Sequence, residues 1–308
     1  MRAALEWTGR QGAWLLFTGV LAGLVVPPLA TVLRPAVLPV TFILFVASLV
    51  RLDWTLVLHH IRRPAKALLI VAAILVGAPL AAAAVVKFLP APTGLATSII
   101  LTTTTTPLLS SPAFALLLGL EAELALIVVL LAMILIPVTM PALALALLGL
   151  QIDLSFAELM GRLALFVGAG FACALGLRAW LGPARIKAEA RLLDGVNVVF
   201  LVVFAVGVME GVTERLLAEP GHVLLFTATA FALNATQQVL GTAIFWIAGR
   251  RTALTVGLVF GYRNMALALA VLADVAPPDF LLYVAVAQLP MYMFPMVTRP
   301  IYRRLLKG

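Results

Sequence analysis

The chain has 308 residues, of which 64% are hydrophobic and only 11% are charged, and its mean hydropathy is +1.15. A soluble globular domain carries about 25% charged residues, so this composition excludes a soluble protein and indicates a polytopic membrane protein. The net charge of +8 does not require a nucleic-acid partner, because the basic residues flank apolar segments in short loops, where they favour anionic lipid headgroups.

Hydropathy, together with the positions of proline, glycine and charged residues, divides the chain into ten apolar segments. They are predicted as transmembrane helices at residues 11–30, 36–52, 64–88, 93–119, 122–149, 157–181, 193–214, 221–248, 252–273 and 279–301. The first segment lacks a small-residue cleavage site and is expected to remain as a helix. The predicted fold class is therefore an all-α polytopic membrane protein, with one membrane domain over residues 1–308.

Basic residues are unevenly distributed between the loops on the two sides of these spans. One side collects sixteen of the 21 basic residues: Arg2, Arg10, Arg51, Arg62, Arg63, Lys66, Arg178, Arg185, Lys187, Arg191, Arg250, Arg251, Arg299, Arg303, Arg304 and Lys307. The other side has only Arg34, Lys87, Arg162 and Arg215. Because Lys and Arg concentrate in cytoplasmic loops, both termini are predicted to be cytoplasmic in a multi-pass protein of the cell (inner) membrane.

The two halves of the chain, approximately residues 1–152 and 153–308, are similar to each other. Span one matches span six at a lag of about 149 residues, and polar interruptions in spans four and nine are separated by about 150 residues. Each half contains five spans. A duplicated unit with an odd number of spans must enter the membrane in opposite senses, so the sequence predicts an inverted repeat of the kind found in secondary transporters.

Span four is interrupted by a polar stretch from Thr102 to Pro112. Pro107 and Pro112 each remove a backbone donor and clash with the preceding turn, so the helix is predicted to break near the membrane midplane. Broken backbone is tolerated at that depth only where it lines a cavity or is buried in protein. The alternative is a kinked helix whose Thr and Ser hydroxyls bond back to preceding carbonyls.

Span nine carries a full charge, Arg263, followed by an amide, Asn264. Arg263 is predicted to lie roughly 17 Å into the span, about the middle of a ~30 Å hydrocarbon layer. An ionisable residue at that depth indicates a functional site that faces a protein-lined cavity. The alternative is a structural arginine bound to backbone carbonyls. Gly261 gives span nine the flexibility to break next to this pair.

Two broken helices at equivalent positions of inverted halves predict a binding site at the membrane midplane. The half-helices that begin near Ser110 and Arg263 would each present free N–H groups and a partial positive end, which favour an anion. The predicted substrate-binding residues, expected to converge in one cavity, are Ser110, Ser111, Tyr262, Arg263 and Asn264.

Five further polar residues lie within predicted spans: Asn197, Glu210, Asn234, Gln237 and Gln238. Glu210 is expected about 24 Å along its span, close to the outer interface, which favours an interfacial role over proton transport.

Metal and cofactor chemistry is not expected. The single cysteine, Cys173, lies in an apolar run and is predicted to be a small buried hydrophobic residue. His59, His60 and His222 are expected at the membrane interfaces, because no Cys, Asp or Glu stands at metal-ligand spacing from them.

Three stretches resemble the bile acid:sodium symporter family. They are VASLVRLDWTLVLHHIRRPAK at 46–66, SSPAFALLLGLEAELAL at 110–126 and GYRNMALA at 261–268, of which the last is similar to the family's Gly-x-Gln-Asn-x-x-Leu-Ala crossover motif. The resemblance implies ten spans in two inverted halves, crossing broken helices four and nine, and transport of an organic anion. It also implies that Asn264 faces the substrate.

The chain departs from that family at the positions that ligate sodium, and so resembles a divergent, bacterial-type member. Arg263 matches the family's Gln, and no acid stands where the family has a Glu, near Val259 and Phe260. The hydroxyl ligands of span five fall near Ala125 and Val129. The Asn of span four falls on Pro112 or, with a shift of one residue, on Ala113. Sodium requires hard oxygen ligands, so sodium coupling is not expected.

The sequence thus predicts a secondary transporter that moves a small organic anion across the bilayer by alternating access, without sodium. Proton coupling stays open. The alternatives are a sodium-coupled symporter of the bile-acid type and a non-transporting anion sensor or channel on the same scaffold. An enzyme is not expected, because no nucleophile–base pair or His/Asp/Glu cluster stands at membrane depth.

Overall fold

The computed structural model of the chain describes residues 2–52, 64–149, 154–272 and 274–307, and within them the fold is all-helical, without a β-strand. The helices of the first half are α1 (Arg2–Arg10), α2 (Gly12–Val25), α3 (Pro27–Leu33), α4 (Val37–Val50), α5 (Pro64–Ala72), α6 (Ala78–Phe88), α7 (Thr93–Thr104), α8 (Ser111–Leu118) and α9 (Ala122–Leu148). Those of the second half are α10 (Phe156–Leu181), α11 (Pro183–Ala188), α12 (Ala190–Gly207), α13 (Val212–Ala218), α14 (Pro220–Ile244), α15 (Arg250–Gly261), α16 (Met265–Leu272), α17 (Pro278–Val286) and α18 (Gln288–Lys307). The predictions for His59, His60, Arg62 and Arg63 lie outside the described residues.

Six helical stretches in the described part of the chain are long and apolar enough to cross a membrane. They are Pro27–Val50, Ala65–Phe88, Ala122–Leu148, Phe156–Leu181, Ala190–Ala218 and Pro220–Ile244. A bent pair, Pro278–Pro295 and Val297–Leu306, makes an angle of 44° and is a seventh candidate. The chain is therefore a multi-pass, all-helical membrane-type protein.

The predicted spans one, four and nine are not continuous membrane-length helices. Span one contains the shorter apolar helix Trp14–Val25, and spans four and nine are each divided into two short helices. A 12-residue helix such as α7 is only about 18 Å long, against a hydrocarbon layer of about 30 Å, so neither half crosses alone. The count of ten spans and the inverted repeat remain predictions.

Local sequence signals set several helix ends. Ser155 begins α10 with a capping box, since its hydroxyl accepts from the Glu158 N–H and the Glu158 carboxylate accepts from the Ser155 N–H at 2.9 Å. Pro220 opens α14 at a position where a missing N–H costs little. Gly119 ends α8 at a φ of +75°, a left-handed conformation that glycine adopts without strain. These signals can be recognised in the sequence without tertiary information.

Close packing of α14 against α15 fixes the position of span nine. An added Cβ at Gly257 would lie 2.5 Å from the Gln238 carbonyl oxygen, and one at Gly261 would lie 2.9 Å from the Asn234 carbonyl oxygen. Small residues allow two membrane helices to approach this closely. The polar side chains in the middle of α14 consequently reach the end of α15.

The expectation for Cys173 is wrong, because its side chain is exposed on α10. Between Arg162 and Arg178, helix α10 has no charged residue, so composition does not distinguish its buried face from its exposed face there. Cys173 lines a cavity together with residues of α4 and α12, such as Val46 and Phe200.

Candidate functional site

The two helix breaks predicted in spans four and nine are present, and they meet. Helix α7 ends at Thr104 and α8 begins at Ser111, while α15 ends at Gly261 and α16 begins at Met265. The two unwound segments form an antiparallel bridge between Pro107 and Arg263. We refer to residues 105–110 and 262–264 as the crossover.

Backbone groups in the crossover satisfy one another. The Leu108 N–H donates to the Tyr262 carbonyl at 2.9 Å, and the Asn264 N–H donates to the Thr106 carbonyl at 2.8 Å. An unpaired backbone group that is buried away from water costs free energy, so this pairing stabilises both breaks.

The threonine run before the crossover also bonds back to the helix. The hydroxyls of Thr103 and Thr104 donate to the carbonyls of Ile100 and Leu101 at 2.8 Å. Thr105 makes the same bond three residues back at 2.7 Å. The break and the back-bonding hydroxyls, which the sequence left as alternatives, therefore occur together.

Arg263 is buried, with 3% of its surface exposed, and oxygen atoms surround most of its guanidinium. Its Nε donates to the Gln237 side-chain oxygen at 2.8 Å and to the Phe260 carbonyl at 2.9 Å. Its Nη1 donates to the Thr105 carbonyl at 3.0 Å and to the Ile74 carbonyl at 3.3 Å. Bonds to three backbone carbonyls fit the structural alternative, but Nη2, which is buried, has no partner in the described part of the chain.

The Ile74 carbonyl is available to Arg263 because of a local helix irregularity. Residues Ala73–Gly77 form a π-helical turn, in which each carbonyl accepts from the residue five positions later. The residue five positions after Ile74 is Pro79, which has no N–H to donate. The guanidinium takes the place of that missing donor.

Two cavities adjoin the crossover, and Met291 lines both of them. The smaller has a volume of about 20 Å³ and is lined by Thr102, Asn234, Gln237 and Arg263, together with apolar groups and Tyr283. The larger has a volume of about 100 Å³, and its polar lining is Thr41, Ser48, Ser110, Asn197, Asn264 and Tyr292.

The five predicted site residues are divided between these surroundings rather than gathered in one cavity. Ser110 and Asn264 line the larger cavity, whereas Arg263 lines the smaller one. Ser111 and Tyr262 are fully buried, line neither cavity, and have hydroxyls without a partner among the described residues. Arg263 and Asn264, although adjacent in the chain, therefore line different cavities.

The sequence reasoning missed two residues of the larger cavity. The buried Asn197 oxygen and the buried Tyr292 hydroxyl have no partner in the described part of the chain, and both residues line that cavity. Asn197 was visible in the sequence as an amide within an apolar span. Tyr292 gave no comparable signal, because tyrosine is also common at membrane interfaces.

Glu210 lies at a distance from these cavities, as the sequence predicts. It follows the end of α12, its side chain is 35% exposed, and it pairs with Arg34 at 3.4 Å. This partly exposed ion pair fits an interfacial role.

The positions that would carry sodium ligands in the resembled family are apolar and closely packed. Ala125, Val129 and Val259 are each at most 1% exposed. In the described part of the chain, no three His, Cys, Asp or Glu side chains form a group that could hold a metal ion. No protein-family model matches the chain, and no curated protein is significantly similar to it.

Proposed function

We propose that this protein is a secondary transporter that moves a small organic anion by alternating access and does not use sodium. The proposal assigns no enzymatic activity and no cofactor. The observation that carries it is the guanidinium of Arg263, buried at the crossover and bound by the carbonyls of Phe260, Thr105 and Ile74.

The positions of these carbonyl oxygens in the fold support the view that the Arg263 side chain replaces a transported cation. In secondary transporters, unwound carbonyls and the C-terminal ends of half-helices coordinate the coupling cation. Here Phe260 lies at the C-terminal end of α15, and Thr105 lies in the unwound part of span four. The side chain of Arg263 uses both carbonyls, so the protein provides its own positive charge at this position.

The magnitude of the repulsion argues against sodium. A sodium ion about 4 Å from the guanidinium would be repelled by roughly 4 kcal/mol at an effective dielectric constant of 20. Each 1.4 kcal/mol is a factor of ten in affinity, so sodium binding would be weakened about a thousandfold.

The larger cavity is the proposed substrate site. It combines apolar walls from Phe45, Phe166 and Phe204 with the polar side chains of Ser110 and Asn264. The N-termini of α8 and α16 follow directly after these two polar residues, and helix N-termini favour negative groups. Such a site suits a carboxylate attached to a small apolar body.

The packing of the helices supports the ten-span inverted repeat that we propose, with both termini cytoplasmic. Helix α2 packs against α12. Their counterparts in the opposite halves, α10 for α2 and α4 for α12, also pack against each other. In the same way, α7 contacts α17, and α15 contacts α9. Exchange of the two halves thus preserves these contacts, as a two-fold repeat requires.

Uptake into proteoliposomes tests the proposal. Straight-chain carboxylates of two to ten carbons are first screened for stabilisation of the purified protein, and the best is radiolabelled. We expect its initial uptake to be equal in sodium, potassium and choline buffers at one pH. A tenfold rise in sodium would favour a sodium-coupled symporter. Specific binding without uptake would favour a sensor, and the absence of any carboxylate binding would contradict the proposal.

A further inference from the structure

The charge of Arg263 lacks a negative partner among the described residues. Four hydrogen bonds reach neutral oxygens, whereas Nη2 has none, although it is buried. A buried charge is stable only when it is paired and fully hydrogen-bonded. Nη2 therefore needs a partner that accepts a hydrogen bond and carries a negative charge.

The smaller cavity supplies further hydrogen-bond donors. The Thr102 hydroxyl lines it, is buried and has no partner among the described residues. The side-chain oxygens of Gln237 and Asn234 already accept bonds, from Arg263 at 2.8 Å and from Gln238 at 2.6 Å. Because these oxygens are already bonded, the NH₂ groups of the two amides are available to donate to a further partner. No carboxylate lines the cavity. The lining is therefore rich in donors and carries one positive charge.

The volume of the smaller cavity limits what it can hold. About 20 Å³ is enough for roughly one water molecule. A carboxylate-bearing molecule does not fit. A water would satisfy the hydrogen bonds but would leave the charge without a partner.

We propose that the smaller cavity binds a single halide ion, chloride under ordinary conditions, as the counter-ion of Arg263. Nη2 of Arg263 and the Thr102 hydroxyl donate to it. Among the crossover residues, Arg263 lines this cavity, whereas Ser110 and Asn264 line the proposed substrate cavity. Chloride binding itself does not depend on the proposed function.

One consequence does rest on the proposed function. The halide and the organic anion would share the positive charge of Arg263, so each would weaken the binding of the other by the same factor. The Michaelis constant for uptake is then expected to rise with chloride concentration.

Thermal unfolding of the purified protein tests the halide site without any transport assay. In choline chloride, the apparent unfolding temperature should be about 2–5 °C higher than in choline gluconate of equal concentration. Bromide should replace chloride, whereas sulfate, which is larger, should not. Thr102→Val should raise the chloride concentration at half-effect about tenfold.

Two arginine variants provide the matched comparison. Arg263→Gln should abolish the chloride effect, whereas Arg162→Gln, which makes the same change at an exposed ion pair with Asp274, should leave it intact. The proposal is overturned if the parent protein unfolds at the same temperature in both salts, if sulfate acts as chloride does, or if Thr102→Val responds as the parent does. Those outcomes do not require Arg263→Gln to fold. If the chloride effect is found but no carboxylate is transported, only the proposed function fails.

Discussion

Replacement of Arg263 by glutamine should convert the crossover into a sodium-binding site. Glutamine has no charge, and its shorter side chain leaves the carbonyls of Thr105 and Ile74 without the donor that now reaches them at 3.0 and 3.3 Å. An unpaired buried carbonyl costs about 1–3 kcal/mol. In choline buffer we therefore expect Arg263→Gln to unfold several degrees below the parent and to lose uptake of the organic anion.

Sodium should reverse much of that loss of stability. Removal of the guanidinium eliminates a repulsion of roughly 4 kcal/mol on a cation about 4 Å away, which corresponds to about a thousandfold gain in sodium affinity. The freed carbonyls supply oxygens of the kind that hard cations bind. Sodium gluconate should then raise the unfolding temperature of Arg263→Gln above its value in choline gluconate, with little effect on the parent.

Arg263→Lys is the matched control, because it keeps a positive charge at the same place. It should remain insensitive to sodium while losing the bonds that only a guanidinium can make. If Arg263→Gln binds and transports the organic anion as the parent does, Arg263 has only a structural role. If Arg263→Gln shows no sodium-specific stabilisation, the carbonyls at the crossover do not form a latent cation site.

Two further predictions concern the larger cavity and the helix packing beside it. Asn197→Leu and Tyr292→Phe should each reduce carboxylate uptake about tenfold without changing the chloride effect on unfolding, because both residues line the larger cavity and neither lines the smaller one; equal loss of both properties would contradict this separation. Gly257→Ala should lower the unfolding temperature by several degrees, since its Cβ would lie 2.5 Å from a carbonyl oxygen of α14, whereas Gly168→Ala, which meets no atom within 4 Å, should not. Equal unfolding temperatures for these two variants would show that the contact between α14 and α15 relaxes without cost.

Much of the fold follows from local sequence. The apolar stretches define the membrane-length helices, because a helix that spans lipid must be apolar along its length. Pro107 and Pro112 predict the interruption between α7 and α8, and Gly261 together with a charged residue marks the one between α15 and α16. Each of these predictions depends on sterics or solvation within a few residues.

The exposed position of Cys173 illustrates where such reasoning stops. In a soluble protein the polar face of a helix identifies the side that meets solvent. Lipid is as apolar as a protein core, so an apolar membrane helix carries no equivalent mark. Which residues of α10 are buried was therefore decided by its neighbours.

The sequence alone predicts a charged residue within an apolar segment, beside two interrupted helices. The groups that surround this charge could not be predicted, because they come from distant parts of the chain. The oxygen partners of Arg263 include Ile74 and Thr105, which are 189 and 158 residues away along the chain, and the π-helical turn that frees the Ile74 carbonyl matters only because α15 ends beside it. Arg263 and Asn264 are adjacent in the chain, yet the elements packed around them place the two side chains in the lining of different cavities.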